Sequence, residues 1–251
     1  LFDLRDRVVV VTGGLGQLGR QFARTLLDCG AKVAILDLNA AQADLVAAMP
    51  DRLLAVSADV TRREDMEAAL TAVRAGLGEP YGLINNAALD SPPNAPAEEN
   101  GPFETYPEES FRKVMDVNVN GVLLACQVFG GAMAKAGRGS IINIGSTYGM
   151  VSPDPTIYEY RHRRGEVFYK PVAYAASKSA LTNLTRYIAA YWAPKGVRAN
   201  LLAFGGVFND QDDEFLTNYC GRVPMGRMAN ENEYNGAVVF LLSDAASYMT
   251  G

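Results

Sequence analysis

The chain is predicted to fold as one α/β domain, residues 1–251, around a doubly wound parallel sheet with helices on both faces. Three observations predict it. Short β-branched runs alternate with helical patterns almost from the first residue, most links between them are short, and no repeat, low-complexity tract or linker interrupts the 251 residues. Such alternation buries a parallel sheet between two helical layers through right-handed crossovers. An apolar content of 49% supplies a sizeable core.

"RVVVVT" (7–12) reads as a strand buried on both faces, because it is β-branched without polar alternation. A Gly-rich turn follows, then a helix from about Gln17 to Cys29, closed by Gly30. "KVAILD" (32–37) is the second strand, trailed by an Ala-rich helix ending before Pro50. "LLAVSAD" (53–59) is the third, and Thr61 with Glu64 form a capping-box pattern opening a helix over 61–76. "GLINN" (82–86) and "SIINIGS" (140–146) are the fourth and fifth strands, separated by a long helical stretch at 107–136. A helix from about Val172 to Lys195 precedes "VRANLLAF" (197–204), the sixth. A further strand beside the sixth is expected, and none follows "SDAASYMTG" before the sequence ends at Gly251. Two irregular stretches, 88–106 and the segment after Ser146, exceed the length of ordinary connections, which marks them as functional or disordered.

Composition removes several function classes. A formal net charge of −5 gives no global basic field to recruit nucleic acid or an anionic membrane. No apolar run approaches the ~18 residues that span a bilayer, and no signal peptide is visible. A cytoplasmic protein acting on a small molecule is expected. Cys29, Cys126 and Cys220 are odd in number and widely spaced, as small buried residues of a reduced compartment would be. The only histidine, His162, has no metal-ligand partners in sequence, so no metal is expected.

"VVVTGGLGQLGRQF" joins the first strand to the first helix, where an open α/β sheet receives a dinucleotide pyrophosphate. Gly14, Gly16 and Gly19 spell one glycine register; Gly13, Gly16 and Gly19 spell another. Both demand a tight turn, close approach of backbone to phosphate, and N–H groups at a helix N-terminus. Asp37 ends the second strand, where a carboxylate accepts the ribose hydroxyls of NAD and repels the 2′-phosphate of NADP. No Arg or Lys lies beside Asp37 or within Gly13–Gly19 to offset that repulsion, so NAD is expected over NADP. Asp59–Val60 ends the third strand, within reach of an adenine, and "NNAA" (85–88) ends the fourth.

"TGGLGQLG", "DV" at 59–60, "NNA" at 85–87, Asn118 in "DVNVNG", Ser146 in "INIGS" and "YAASK" at 174–178 together resemble the short-chain dehydrogenases/reductases, in that family's order and over almost the whole chain. The resemblance implies a Rossmann-type subunit, hydride transfer to or from a nicotinamide, and a homo-oligomer, usually a tetramer, otherwise a dimer. It also implies a cofactor lining of Gly13, Leu15, Gly16, Gln17, Leu18, Gly19, Asp37, Leu38, Asp59, Val60, Asn86, Ala87, Ala88, Tyr174, Lys178, Gly205, Val207 and Asn209. The chain departs from the compact members at Gly16 with Gln17, at Ala88, and at Phe204, where a proline normally precedes glycine. "GSTYGMVSPDPTIYE", "KPVAYAASK" and "GGVFNDQDDEF" resemble a narrower group, the flagellin-modification protein A-like oxidoreductases, associated with bacterial surface sugars.

Oxidising an alcohol requires a proton acceptor that ionises near working pH, and an unperturbed tyrosine has a pKa of about 10. A fixed cation nearby favours the phenolate. Tyr174 and Lys178 stand four apart on a predicted helix and so share a face, whereas Tyr148, Tyr158, Tyr160 and Tyr169 have no lysine at that spacing. Tyr174 is therefore the expected base. Ser146 is expected to hydrogen-bond the substrate oxygen, Lys178 to lower the Tyr174 pKa and hold the ribose, and Asn118 to steady a water that completes a proton path. Ser146 as a strand-end cap and Asn118 as a buried helix amide are the structural alternatives.

The 28 positions from Ser146 to Tyr174 exceed the spacing usual in compact members. The insertion, about 150–172, carries Arg161, Arg163, Arg164 and Lys170 against Glu159 and Glu166. It reads either as a substrate-side flap whose arginines, with Tyr148, bind a carboxylate or phosphate, or as a solvated or subunit-contacting loop. By the resemblance, residues 206–228 form a mobile cover over the cofactor. The expected activity is NAD-dependent oxidation of a secondary alcohol or reduction of a ketone, on a polar sugar-like or anionic molecule. A dehydrogenase of lipid or steroid-type alcohols and a catalytically silent NAD sensor are the alternatives.

Overall fold

The computed structural model describes residues 1–40, 51–90 and 97–251. Among these, six strands form one parallel sheet in the order β3-β2-β1-β4-β5-β6. They are β1 Val8–Thr12, β2 Lys32–Asp37, β3 Leu53–Ser57, β4 Pro80–Asn85, β5 Gly139–Ser146 and β6 Val197–Phe204. These are the six expected strands, with ends moved by at most two residues. The helix expected before Pro50 and part of the irregular stretch after Ala88 lie outside the described residues.

The helices are α1 Gln17–Asp28, α2 Arg63–Gly76, α3 Glu108–Ala136, α4 Glu159–Arg163, α5 Val172–Trp192, α6 Asp213–Cys220 and α7 Asn235–Leu242. The continuous valine run of β1 follows from burial on both sides. Val8 and Val10 pack with Met66, Phe129 and Leu181 on the face covered by α2, α3 and α5, while Val9 and Val11 pack with Phe22, Leu26 and Val238 under α1 and α7. Alternate side chains of a strand point to opposite faces, so a two-sided core needs apolar residues at every position.

α3 is long and apolar enough to meet the composition of a membrane span, but Val122, Ala125, Cys126, Phe129 and Met133 are buried in the core; it is a core helix. Its hydrogen bonding widens to π turns at Asp116–Asn120 and Cys126–Gly130. The capping box expected at Thr61 and Glu64 does not form. Thr61 instead donates its N–H and hydroxyl to the Asp59 carboxylate (2.9 and 2.7 Å), and α2 starts only at Arg63. Of the cysteines only Cys126 is fully buried; Cys29 and Cys220 are half-buried. No seventh strand occurs among the described residues. The chain end nonetheless returns to the outer edge of β6, where the Gly251 N–H donates to the Ala199 carbonyl at 2.8 Å.

Candidate active site

The strand order reverses between β1 and β4, and a crevice opens beyond the carboxyl ends of the strands at such a switch point. β5 and β6 pair residue for residue from Gly139↔Val197 to Ser146↔Phe204, so they end level at this crevice. Its two connected ends share Gln17, Leu18, Asn86, Ala88 and Asp90.

One end has the features of a dinucleotide cradle. α1 begins at Gln17 with no side-chain cap and no acidic residue in its first turn, leaving its first N–H groups toward the crevice. The turn before it is pinned by Asn86, whose Nδ2 donates to the carbonyls of Thr12 (3.2 Å) and Gly13 (2.9 Å). Gly19 allows the helix to close on the turn: a Cβ there would lie 2.2 Å from the Gly13 oxygen. Gly19 is itself buried behind the turn and is the one residue of the expected cofactor set that does not line the crevice. Its close packing on Gly13 and Gly14 is what the structure shows of it.

Asp37 sits at the floor of this end, one carboxylate oxygen accepting the Leu15 N–H at 3.0 Å. Leu38, Asn39, Asp59 and Val60 surround it. Arg20 lines the same space, its Nε on the Leu15 carbonyl at 2.6 Å. Sequence reasoning confined to Gly13–Gly19 missed this cation because the helix turn carries Arg20 back beside Leu15.

The other end gathers Ser146, Tyr148, Tyr174 and Lys178. Ser146 is 8% exposed and caps the short turn Thr147–Gly149, its Oγ accepting the Tyr148 N–H at 3.1 Å. The cap uses a lone pair and leaves the hydroxyl proton to donate, so capping and substrate binding are compatible. Gly149 lets this turn lie on α5: a Cβ would come within 2.7 Å of the Lys178 carbonyl. Lys178 donates Nζ to the Ile144 carbonyl at 2.8 Å and lies 5.8 Å from the centre of the Tyr174 ring. Burial pulls the Lys178 pKa down to about 8. Burial first, then the Asp90 charge, push the Tyr174 pKa up to about 12, against which the Ser146 hydroxyl acts by hydrogen-bonding the phenolate.

Asn118 does not line the crevice. It is buried in the first π turn of α3, where its Oδ1 accepts the Leu89 N–H (2.7 Å) and its Nδ2 donates to the Leu89 carbonyl (2.9 Å) and to Ser177 Oγ (2.9 Å). The side chain thus clamps the segment after β4 to α5.

The arginines of the insertion also lie elsewhere. Arg161, Arg163 and Arg164 do not line the crevice. Arg161 stacks over Phe168 and faces Asp212 (3.8 Å) and Glu166 (3.9 Å), while Arg164 pairs with Glu214 at 2.5 Å and Arg163 is exposed. Tyr160 donates its hydroxyl to Asp212 at 2.7 Å. The acidic start of α6 meets Arg161 and Arg164 because α4 and α6 are brought together, so these two latch the insertion to α6. The insertion's cation at the crevice is Lys170, ion-paired with Asp90 and 4.7 Å from the Tyr174 ring centre. Sequence reading grouped Lys170 with the arginines and gave Asp90 no role, since they lie 80 positions apart.

After β6, Phe204 stacks on Tyr234 at 4.0 Å, and the tyrosine hydroxyls of Tyr234 and Tyr219 accept the N–H groups of Gly205 (3.0 Å) and Gly206 (2.8 Å). An aromatic anchor thus stands where a proline would restrict the backbone, and Gly205, Val207 and Asn209 still line the crevice. Gln17, at the start of α1, donates to the Phe208 carbonyl at 2.9 Å, joining the cradle to the segment after β6.

A parallel sheet with a glycine cradle at its switch point and a Ser–Tyr–Lys cluster beside it defines a nucleotide-dependent oxidoreductase. A family model described as enoyl-(acyl carrier protein) reductase matches residues 16–251. The 2-(S)-hydroxypropyl-CoM dehydrogenase 3 of Xanthobacter autotrophicus is 32% identical, over 99% of this chain and 94% of its own. The galactitol 2-dehydrogenase (L-tagatose-forming) of Cereibacter sphaeroides is 34% identical, over 100% and 93%. A short chain dehydrogenase of Leptospira borgpetersenii, solved with bound NAD+, superposes with a TM-score of 0.86 at 32% identity, over 99% of this chain and 90% of that one. The chain belongs to the short-chain dehydrogenase/reductase family and is an oxidoreductase that uses a pyridine nucleotide.

Proposed function

We propose that the protein transfers a hydride between NAD and a secondary alcohol or its ketone on a polar, sugar-like substrate, with Tyr174 as general acid/base. The observation that carries this reading is the convergence of Ser146, Tyr174 and Lys178 on one wall of the crevice, next to the cradle. The bound nicotinamide supplies the hydride acceptor or donor. Gln17, Leu18, Asn86, Val207 and Asn209 would border it where the two ends of the crevice meet.

Ser146 donates its hydroxyl to the substrate oxygen and holds it beside the Tyr174 phenol. In oxidation the phenolate takes the alcohol proton as the hydride leaves; in reduction the phenol returns it. A Tyr174 pKa near 12 leaves little phenolate at neutral pH, so the base depends on cations. Lys178, 5.8 Å from the ring centre, is the one this role falls to, since Lys170 is already paired with Asp90. NAD is preferred over NADP because Asp37 opposes a 2′-phosphate, although Arg20 in the same space weakens that opposition. The polar wall of Tyr148, Lys170, Asp90 and Gln211 favours a hydroxylated substrate over a lipid one.

Replacing Tyr174 by Phe tests the assignment. Turnover should fall by about 10²–10⁴-fold, the range of general acid/base catalysis, while NADH still quenches or gains fluorescence on titration. A variant that keeps substantial activity would refute Tyr174 as the base.

A further inference from the structure

We propose that the Asp90–Lys170 pair is the specificity determinant of the crevice and reads a second hydroxyl on a neutral, polyhydroxylated substrate. This deepens the dehydrogenase reading above and rests on it. Neither residue belongs to the Ser–Tyr–Lys cluster, yet both face it. Asp90 and Lys170 line the crevice with Ser146 and Tyr174, and Lys170, its side chain 12% exposed, sits over the Tyr174 ring.

Both ends of the pair are anchored from behind. The Asn118 amide grips Leu89, next to Asp90, through both its backbone groups. The Tyr169 N–H donates to the Asn100 carbonyl at 2.8 Å and Pro171 is the N-cap of α5, so both neighbours of Lys170 are fixed. Two loops remote in sequence are thus held so that one ammonium and one carboxylate meet beside the reacting centre.

Charge balance selects the substrate class. A carboxylate or phosphate would need a surplus cation, but Lys170 already has Asp90 as partner. The insertion's arginines are outside the crevice, Arg161 and Arg164 set against Asp212, Glu166 and Glu214. Lys178 is only 4% exposed and donates to the Ile144 carbonyl. An incoming anion would meet the Asp90 carboxylate and be repelled. A hydroxyl meets no such conflict, because it can donate to the carboxylate and accept from the ammonium at once. With Ser146 and Tyr174 holding the reacting oxygen, the pair would hold its neighbour.

The test uses initial rates with NAD on xylitol, 2,3-butanediol, 2-butanol and 3-hydroxybutyrate, alongside NADH fluorescence titration. For the wild type, kcat/KM for 2,3-butanediol should exceed that for 2-butanol by about 10- to 100-fold, the worth of a charge-assisted hydrogen bond. 3-Hydroxybutyrate should rank below the diol. Lys170→Met and the isosteric Asp90→Asn should each bring the diol-to-butanol ratio toward one, and Lys170→Arg should retain part of it. A ratio unchanged in both variants overturns the proposal, as does a wild type that prefers 3-hydroxybutyrate. A wild type that binds NADH but turns over neither diol nor xylitol also overturns it. Failure to bind NADH would instead strike the dehydrogenase reading itself.

Discussion

Removing the Asn118 amide separates a clamp from a proton relay. In Asn118→Ala, the Leu89 N–H and carbonyl lose partners at 2.7 and 2.9 Å, whereas Ser177 keeps its own bond to the Tyr174 carbonyl at 2.8 Å. Each buried polar group left unpaired costs about 1–3 kcal/mol. Leu89 is only half-buried, so water can meet part of the loss and the expected cost is about 2–4 kcal/mol. For a domain of this size that lowers Tm by roughly 5–15 °C. Because Leu89 precedes Asp90, KM for a polar substrate should rise as well. Thermal unfolding followed by circular dichroism, with steady-state kinetics on the same preparation, reads both effects. Asn118→Asp should not rescue stability, since its carboxylate would face the Leu89 carbonyl with no proton to donate. The clamp is refuted if Tm stays within about 1 °C of wild type while kcat alone collapses; that result would place Asn118 on the proton path.

Three further outcomes are expected. Burial lowers the Lys178 pKa from 10.5 to about 8 in the fold, so the unfolded chain binds more protons between those values and stability rises with pH there. Urea unfolding at pH 7.5 and 9.5 should show a gain of about 2 kcal/mol that Lys178→Met abolishes; above pH 10 the raised Tyr174 pKa works in the opposite direction. Asp37→Ser should improve NADPH binding relative to NADH by at least about tenfold, and Arg20→Ala should shift the ratio the other way, both read by fluorescence titration. An unchanged ratio in Asp37→Ser would dismiss the charge argument. Tyr160→Phe removes the hydroxyl bond to Asp212 and should cost about 1–2 kcal/mol. It should also speed hydrogen exchange across Asp213–Cys220; unaltered exchange would show that the latch does not hold the cover.

The strands were legible because their cause is local. Four consecutive valines between polar ends can only be a strand buried on both faces, and a glycine turn before an uncapped helix has few other uses. Tyr174 and Lys178 were legible for the same reason, since four residues on a helix set their neighbourhood whatever surrounds them. The capping box at Thr61 failed although its pattern was present. Asp59, two residues earlier, offers a stronger acceptor to the same N–H and hydroxyl.

Charges were a different matter. The run Arg161 to Arg164 looks like an anion site when read alone, because its counter-charges, Asp212 and Glu214, come from a segment some 50 residues later. Asp90 has no distinguishing neighbour in sequence and acquires one only when the insertion folds back over α5. Asn118 belongs to a recognisable motif, but what its amide touches depends on a π turn that no residue pattern announces.

By itself, then, the order of residues determined the sheet, the cradle and the Tyr174–Lys178 pairing, since short-range sterics and burial act along the chain. Which cation of the insertion lines the crevice, which acids silence the arginines and what Asn118 holds were decided by tertiary structure. Coulomb attraction and hydrogen bonding fall off over a few ångströms in space, and they take no account of distance along the chain.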